Sequence, residues 1–323
     1  MRIKLSSPRG FCAGVRMAVD IVDKILDVID QDETLYVYHE IVHNKHVVKR
    51  LCERGAIFVD DIEEIPHESI VIFSAHGVSP AIKEKARKRN LICVDATCPL
   101  VMKVHAEAIR YAKREWQILL IGHKNHQEVV GTQGEAPEAI QIVETIEDIP
   151  KLYIKDPTKL AYITQTTLST DDAEIIISAL RKAFPEIHAP PTDDICYATT
   201  KRQNAVREDA TDIDLVLVVG SQNSSNSLRL TEIAETVGTP AFLLDDVSKL
   251  DATWLVNVNS VLITAGASAP EHLVQEIVEH LTENFDGQLE GDSTFDEGMT
   301  FSMPPSLYSY LSTKRLTIEG KDV

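Results

Sequence analysis

Short, almost continuously apolar segments alternate along this sequence with polar loops and with segments of helical period, and no other feature restricts the fold as strongly. The apolar segments are rich in β-branched residues, which is typical of parallel strands buried on both faces. We predict strands at residues 69–73, 117–121, 160–163, 215–219, 241–244 and 260–263. Strand, loop and helix in repeated succession predict an α/β fold.

Polar loops follow five of these predicted strands, at residues 74–77, 122–128, 164–169, 220–227 and 264–270. In open α/β sheets, ligands bind at the carboxyl ends of the strands. All five loops are rich in groups that form hydrogen bonds. The sequence therefore predicts one polar site where the five loops converge.

Length and charge restrict the class of protein. The 323 residues, 44% of them hydrophobic, suffice for two average domains or three small ones. A net charge of −18 argues against general binding to nucleic acid or to an anionic membrane, because phosphate groups attract basic surfaces. No apolar run approaches the roughly 20 residues of a membrane span, and the first residues lack a secretory signal. We expect a cytoplasmic protein with no nucleic-acid or membrane partner.

Three of the five cysteines recur at intervals of about one small domain. Cys12, Cys98 and Cys196 are 86 and 98 positions apart, and each opens a segment of helical period. This spacing indicates three pseudo-repeated α/β units with one cysteine each. An odd cysteine number in a reducing compartment does not suggest a disulfide framework. We expect the other two, Cys52 and Cys93, to be small core residues.

Thiols at helix N-termini suit metal binding, because the positive end of the helix dipole favours the thiolate. Three cysteines would leave one iron of a [4Fe-4S] cluster without a protein ligand, free to act as a Lewis acid and an electron source. A catalytic zinc ion held by three cysteines fits the same residues. The spacing alone leaves iron and zinc both open.

Other polar residues of the predicted loops form a candidate ligand site. Imidazole, hydroxyl and backbone N–H groups can bind phosphate oxygens without many lysines, which reconciles an anionic ligand with the acidic chain. Capping of a helix is an equally good explanation for the serine and asparagine run. The candidates are His43, His76, His126, Ser224, Ser225, Asn226 and Ser268. We expect structural or surface roles for His67, His105, His188 and His280.

Glu128 is the one carboxylate within a polar loop of this kind. Burial would raise its pKa and make it a proton donor. Thr166, in the loop at residues 164–169, is placed to orient or relay that proton.

Taken together, the motifs resemble the 4-hydroxy-3-methylbut-2-enyl diphosphate reductases, the family that performs the last step of the non-mevalonate isoprenoid pathway. The similarity extends in order to about residue 283. It is carried by the segments PRGFCAGV, HEIVHN, SAHGVS, DATCPLV, TQTTLS, DDICYATT, GSQNSSNS and TAGASAP.

The resemblance implies a trefoil-like arrangement of three α/β units around a central [4Fe-4S] cluster held by Cys12, Cys98 and Cys196. It implies that the candidate histidines, serines and asparagine bind the diphosphate, and that Thr166 contacts the substrate hydroxyl. Glu128 then delivers the proton, with His126 beside it in the catalytic loop. Gln127 departs from the family pattern, because a proline is expected there, and this exchange would loosen the loop.

The reaction implied is reductive dehydroxylation of (E)-4-hydroxy-3-methylbut-2-enyl diphosphate to isopentenyl and dimethylallyl diphosphate, with the substrate hydroxyl on the open iron. A ferredoxin or flavodoxin would supply the electrons. The sequence predicts segments 1–13 with the first strand and cysteine, 14–98, 99–195 and 196–283 as the three units, and 284–323 as a wrapping tail. The alternatives are a zinc-dependent hydrolase with Glu128 as general base and a non-catalytic module that binds diphosphate or senses iron.

Overall fold

The computed structural model of the chain describes residues 1–291 and 297–319, and within them the fold is α/β as predicted. The strands are β1 Arg2–Leu5, β2 Leu35–Tyr38, β3 Ile57–Val59, β4 Ile70–Phe73, β5 Ile92–Asp95, β6 Gln117–Ile121, β7 Ile140–Val143, β8 Leu160–Thr164, β9 Leu215–Val219, β10 Ala241–Leu244, β11 Ser260–Ala265 and β12 Gln288–Leu289. The α-helices are α1 Ala13–Leu26, α2 Lys45–Glu53, α3 Pro80–Lys88, α4 Pro99–Ala112, α5 Gln127–Glu135, α6 Thr170–Ala183, α7 Tyr197–Asp209, α8 Ser225–Thr236, α9 Glu271–Asn284 and α10 Pro305–Glu319.

The strands of the described residues form three separate sheets, and neighbouring strands within each sheet are parallel. Sheet I has the order β3-β2-β4-β5, sheet II the order β7-β6-β8, and sheet III the order β10-β9-β11-β1-β12. Each sheet packs against its own helices and has its own hydrophobic core. The predicted architecture of three α/β units is confirmed.

All six strands that we predicted from apolar segments are present, and none differs from its prediction by more than two residues at either end. Every residue of β4, β9 and β11 is buried, which agrees with the expectation for strands covered on both faces.

The first strand is an interior strand of the last sheet. β1 pairs with β11 on one side and with β12 on the other. The N-terminal segment and the beginning of the predicted tail are therefore joined to the third unit by backbone hydrogen bonds. The division at residues 13, 98, 195 and 283 otherwise stays a prediction.

The tail returns to the first unit. Helix α10 packs beside β5, and Leu307 and Tyr310 are buried in the core that α1 and sheet I share. Lys314 forms ion pairs with Asp30 and Glu33, the first at 2.8 Å. Among the helices of the described residues, none combines the length and the apolar character that a membrane crossing requires.

One expectation for the other cysteines is wrong. Cys52 is exposed on α2, because it lies outside the face of that helix that buries Val47 and Leu51. Cys93 in β5 is half-buried beside the core of the first unit.

Candidate active site

A single cavity lies where the carboxyl ends of strands from all three sheets meet, and it encloses about 680 Å³ free of protein atoms, including its mouth. All five predicted polar loops contribute to its lining, so their convergence is confirmed. Every residue singled out from the sequence as a candidate ligand or catalytic group lines it: Cys12, Cys98, Cys196, His43, His76, His126, Glu128, Thr166, Ser224, Ser225, Asn226 and Ser268.

The three cysteines are the N-caps of α1, α4 and α7, so each thiol lies at the positive end of a helix dipole. Cys12 Sγ accepts a hydrogen bond from Val15 N at 3.5 Å, and Cys196 Sγ accepts one from Thr199 N at 3.4 Å. Pro99 occupies the first turn of α4, so this helix begins with one N–H group fewer beside Cys98.

The three sulfurs are close enough to perturb one another. Burial, followed by the charge of Cys12, raises the pKa of Cys98 to about 12 and that of Cys196 to about 11. Burial also raises the pKa of Cys12, against the opposing positive charge of Arg202. Each thiol therefore needs a strong positive partner in the cavity to become a thiolate, as a metal centre would provide.

The start of α1 lies so close to Cys98 that position 14 has no space for a side chain larger than that of glycine. A Cβ atom at Gly14 would lie 2.6 Å from the Sγ of Cys98, well inside van der Waals contact. Glycine at this position lets the helix that begins at Cys12 approach the sulfur of the second unit closely.

Three imidazoles form a compact cluster on another wall of the cavity. The rings of His43 and His76 stack with centroids 4.1 Å apart, and the ring of His126 lies edge-on at 5.3 and 5.8 Å from them. Burial lowers the pKa of His126 to about 3, and burial together with the neighbouring histidines lowers that of His76 well below its usual range. Both rings are neutral donors in the free site.

Backbone contacts fix which ring nitrogen of His126 carries the proton. His126 is the N-cap of α5, and its Nδ1 accepts the backbone N–H of Glu128 at 3.2 Å. The proton of the neutral ring is therefore on Nε2, which is left as a donor.

Glu40, which the sequence did not indicate, forms a hydrogen bond with the third imidazole, that of His43. Its Oε2 lies 3.1 Å from Nδ1 of His43 and accepts a hydrogen bond from Asn223 Nδ2 at 2.8 Å. The hydrogen bond with His43 lowers the pKa of Glu40. The carboxylate thereby joins the first unit to the loop before α8 and leaves Nε2 of His43 for a ligand. Its position three residues before His43 in the same loop was the available signal.

The serine and asparagine run both caps a helix and lines the cavity. Ser224 is the N-cap of α8, with its Oγ accepting from Ser227 N at 3.3 Å. Asn226 Oδ1 accepts from Ala267 N at 2.8 Å, and Ser268 Oγ donates to the carbonyl of His43 at 2.9 Å. Capping is thus confirmed without removing these groups from the cavity, and the hydrogen bond from Ser268 connects loops of the third and first units.

Glu128 is a buried carboxyl group, only 2% exposed, and its partner is Thr166. Oε1 of Glu128 accepts from Thr166 N at 2.6 Å, and Oε2 accepts from Thr166 Oγ1 at 3.0 Å. Burial raises the pKa of Glu128 to about 7, with the bonds from Thr166 acting in the opposite direction. At neutral pH the group is therefore divided between its acid and its carboxylate form.

Gln127 begins α5 between the two catalytic candidates of its loop. The helix starts with His126 as its cap, so the exchange of proline for glutamine leaves the helix start intact. Gln127 Oε1 is buried without a well-formed hydrogen bond in the described structure, but it lies near His76 and favours the protonated form of that ring.

The four histidines expected to have structural or surface roles include both kinds. His105 is buried with Nδ1 2.8 Å from Glu135, whereas His188 is exposed and lies edge-on to Trp116 with ring centroids 5.0 Å apart. All four lie outside the lining of the cavity.

The chain is similar to known proteins over nearly its whole length. A model of the LytB protein family matches residues 3–282, which include all the cavity residues named above. The chain belongs to the LytB family. Relatives within it include a 4-hydroxy-3-methylbut-2-enyl diphosphate reductase of Rhodopirellula baltica, 52% identical over 96% of this chain and 97% of the relative. A reductase of the same name from Idiomarina loihiensis is 51% identical over 95% and 98%.

Two solved LytB-like structures show the same fold. The E-1-hydroxy-2-methyl-but-2-enyl-4-diphosphate reductase of Plasmodium falciparum superposes with a TM-score of 0.92 at 42% identity, over 97% of this chain and 98% of that one. A second structure, described as the terminal enzyme of the non-mevalonate pathway, superposes with a TM-score of 0.62 at 30% identity, over 87% and 99%. The trefoil-like arrangement predicted from the sequence is thereby confirmed.

Proposed function

We propose that this protein reduces (E)-4-hydroxy-3-methylbut-2-enyl diphosphate to isopentenyl diphosphate and dimethylallyl diphosphate. Two electrons and two protons enter, the allylic C–O bond breaks, and the hydroxyl leaves as water. Relatives about half identical over nearly the whole chain carry the name of this reductase. The observation that carries the proposal is the convergence of three helix-capping thiols, three imidazoles and a buried carboxyl group on one cavity.

We infer that Cys12, Cys98 and Cys196 hold a [4Fe-4S] cluster, since three desolvated thiols at helix N-termini suit thiolate ligation. When bound, the cluster would supply electrons and a Lewis-acidic iron without a protein ligand. A zinc ion would require all three sulfurs within about 2.3 Å of one point. A single zinc ion on the same three thiols is the alternative that the metal content of the purified protein distinguishes.

The diphosphate would lie against the neutral donors of the cavity. Nε2 of His126, the ring of His76 and the start of α8 present N–H and O–H groups to it. These donors can bind an anion without carrying a full charge themselves. A basic chain is therefore not required, and the net charge of −18 does not oppose binding at this site. His43, Ser225, Asn226 and Ser268 would complete this set.

Glu128 would deliver the proton that allows water to leave. Its pKa of about 7 keeps a fraction protonated at neutral pH, and Thr166 holds both carboxyl oxygens. Thr166 Oγ1 is then placed to orient the substrate hydroxyl. Electrons would come from a one-electron carrier such as a ferredoxin or a flavodoxin.

The test is an anaerobic assay of protein reconstituted with iron and sulfide, given the substrate and reduced methyl viologen. We expect a coloured protein that yields both isoprenoid diphosphates. A colourless protein that carries zinc would contradict the cluster and favour the hydrolase. A protein that binds the diphosphate but forms no product would favour the non-catalytic module.

A further inference from the structure

A fully buried arginine contacts the backbone segments that carry two of the three thiols. Arg202 in α7 is 0% exposed, and its guanidinium donates to the carbonyls of Ala198 at 2.9 Å and Gly10 at 2.7 Å. Gly10 belongs to the segment that ends at Cys12, whereas α7 begins after Cys196. Arg202 therefore connects the backbones that carry two of the three thiols.

The counter-charge of Arg202 comes from the tail. Glu297 lies 2.5 Å from Nη1 of Arg202, and its other oxygen accepts a hydrogen bond from Tyr197 OH at 3.1 Å. Four residues later, Phe301 packs near Gly14 and among residues of the first core. The tail thus contributes a carboxylate beside Arg202, and neither residue is among those that line the cavity.

The two charges differ in their relation to the thiols. Arg202 is 0% exposed and donates to the carbonyl of Gly10, two residues before Cys12, whereas Glu297, 10% exposed, contacts Arg202 and Tyr197. Arginine keeps its proton in proteins, so this positive charge is permanent. Buried charges also interact over longer distances than exposed ones, because water and salt screen them little.

We propose that Arg202 and Glu297 set the reduction potential of the cluster held by Cys12, Cys98 and Cys196, with Arg202 raising it and Glu297 lowering it. This inference rests on the proposed function. Reduction adds one electron to a buried, thiolate-bound centre, and net charge and hydrogen bonding around such a centre determine its potential. A positive neighbour stabilises the reduced state, and a negative neighbour destabilises it.

The experiment is a redox titration of the reconstituted full chain and of single variants, followed by the visible absorbance and the electron paramagnetic resonance signal of the cluster. Arg202→Met should lower the midpoint potential. Glu297→Gln, which keeps the shape of the side chain, should raise it by a smaller amount. A structural role alone would not produce shifts of opposite sign.

The same helix offers a matched control. Arg207 in α7 pairs with Asp171 at 2.6 Å, but both side chains are partly exposed, at 33% and 49%. Arg207→Met and Asp171→Asn remove the same charges from a solvated pair and should leave the potential unchanged. Equal shifts in the control variants, or shifts of the same sign for Arg202→Met and Glu297→Gln, would overturn the proposal.

Loss of a buried arginine can prevent folding. Comparison of Arg202→Lys with Glu297→Gln tests the inference without that loss. Arg202→Lys keeps the charge and should stay closer to the parent than Glu297→Gln does. An unchanged potential in Glu297→Gln overturns the inference by itself. If the unaltered chain forms no cluster at all, the proposed function fails instead, so the two failures are distinguishable.

Discussion

Glu128 shows how one side chain combines a structural cost with a chemical role. Burial raises its pKa from 4.5 to about 7, so the folded protein binds this proton more tightly than the unfolded chain does. The resulting stabilisation is fully present below pH 4.5 and is lost as the pH rises to 7. Above that range, folding must bury a carboxylate.

Glu128→Gln should therefore stabilise the cluster-free protein at pH 8 by up to about 3 kcal/mol, with no difference below pH 4.5. Glutamine keeps an oxygen for Thr166 N without the buried charge. Urea unfolding of both proteins at several pH values measures the difference. A pH-independent difference would contradict the raised pKa.

The same variant should keep its cluster but lose turnover, because an amide cannot donate the proton. In the parent, turnover should fall as the pH rises above about 7, since the protonated fraction of Glu128 falls. Iron content and product formation are measured on the same samples. Near-normal turnover in Glu128→Gln would exclude its role as proton donor.

Glu40 permits a test of substrate binding. Glu40→Ala removes the acceptor at Nδ1 of His43 and should raise KM roughly tenfold, the effect of about 1.5 kcal/mol for a charged hydrogen bond, while kcat changes less. Asp60→Asn is the matched control, because Asp60 lies 2.8 Å from His39 and is 91% exposed. An unchanged KM in Glu40→Ala would remove Glu40 from the site.

At the scale of single residues, the sequence indicated those functional groups that lie in distinctive local motifs. Glu128 and Thr166 were indicated by the polar loops after their strands, but the two hydrogen bonds between them cross 38 positions and leave no local pattern. Arg202 and Glu297 lie 95 positions apart, and each looks like an ordinary charge in its own segment.

Among the elements, the strands made of continuous apolar runs were predicted, including the edge strands β8 and β10, whereas β3 and β5 were not. β4 and β9 are apolar throughout and buried along their whole length. β3 and β5 lie at the two edges of sheet I, and each contains an exposed position that interrupts the apolar pattern. Helix α10 was not predicted within the tail at residues 284–323, although its first residue, Pro305, is of the type that often begins a helix.

The contribution of α10 is measurable with two neighbouring residues. Leu307→Ala should reduce the free energy of unfolding by about 3 kcal/mol, because Leu307 is fully buried against the first unit. Tyr308→Ala, at a position 58% exposed, should change it by less than about 0.5 kcal/mol. Denaturant unfolding of the cluster-free protein compares them. Equal effects would mean that the tail does not stabilise the first unit.

For the whole molecule, the three thiols come from helices that belong to different parts of the chain. A ligand that binds all three only in the folded state stabilises the assembled arrangement. Reconstitution should therefore raise the melting temperature of the parent and of Cys52→Ser, whose thiol is exposed and outside the cavity. Cys98→Ala should show neither the increase nor the full iron content. Loss of iron in Cys52→Ser would require a different set of ligands.

The arrangement of the three units could not be derived from the spacing of the cysteines, because similar intervals fit many packings. The interior place of β1 in sheet III was likewise hidden, since its pairing partners begin 258 and 286 positions after Arg2. Long-range pairings of this kind have no local signature in the sequence.

That placement of β1 also determines the order in which the molecule can be completed during synthesis. Sheets I and II are made of strands that leave the ribosome one after another, so each can assemble while translation continues. In sheet III, β1 pairs with β11 and β12. It therefore has no strand partner until residues 260–289 have been made. Residues 2–5 therefore stay without strand partners for longer than any other strand. Cys12, which follows them, can take its final position beside Cys98 and Cys196 only after those partners have been made.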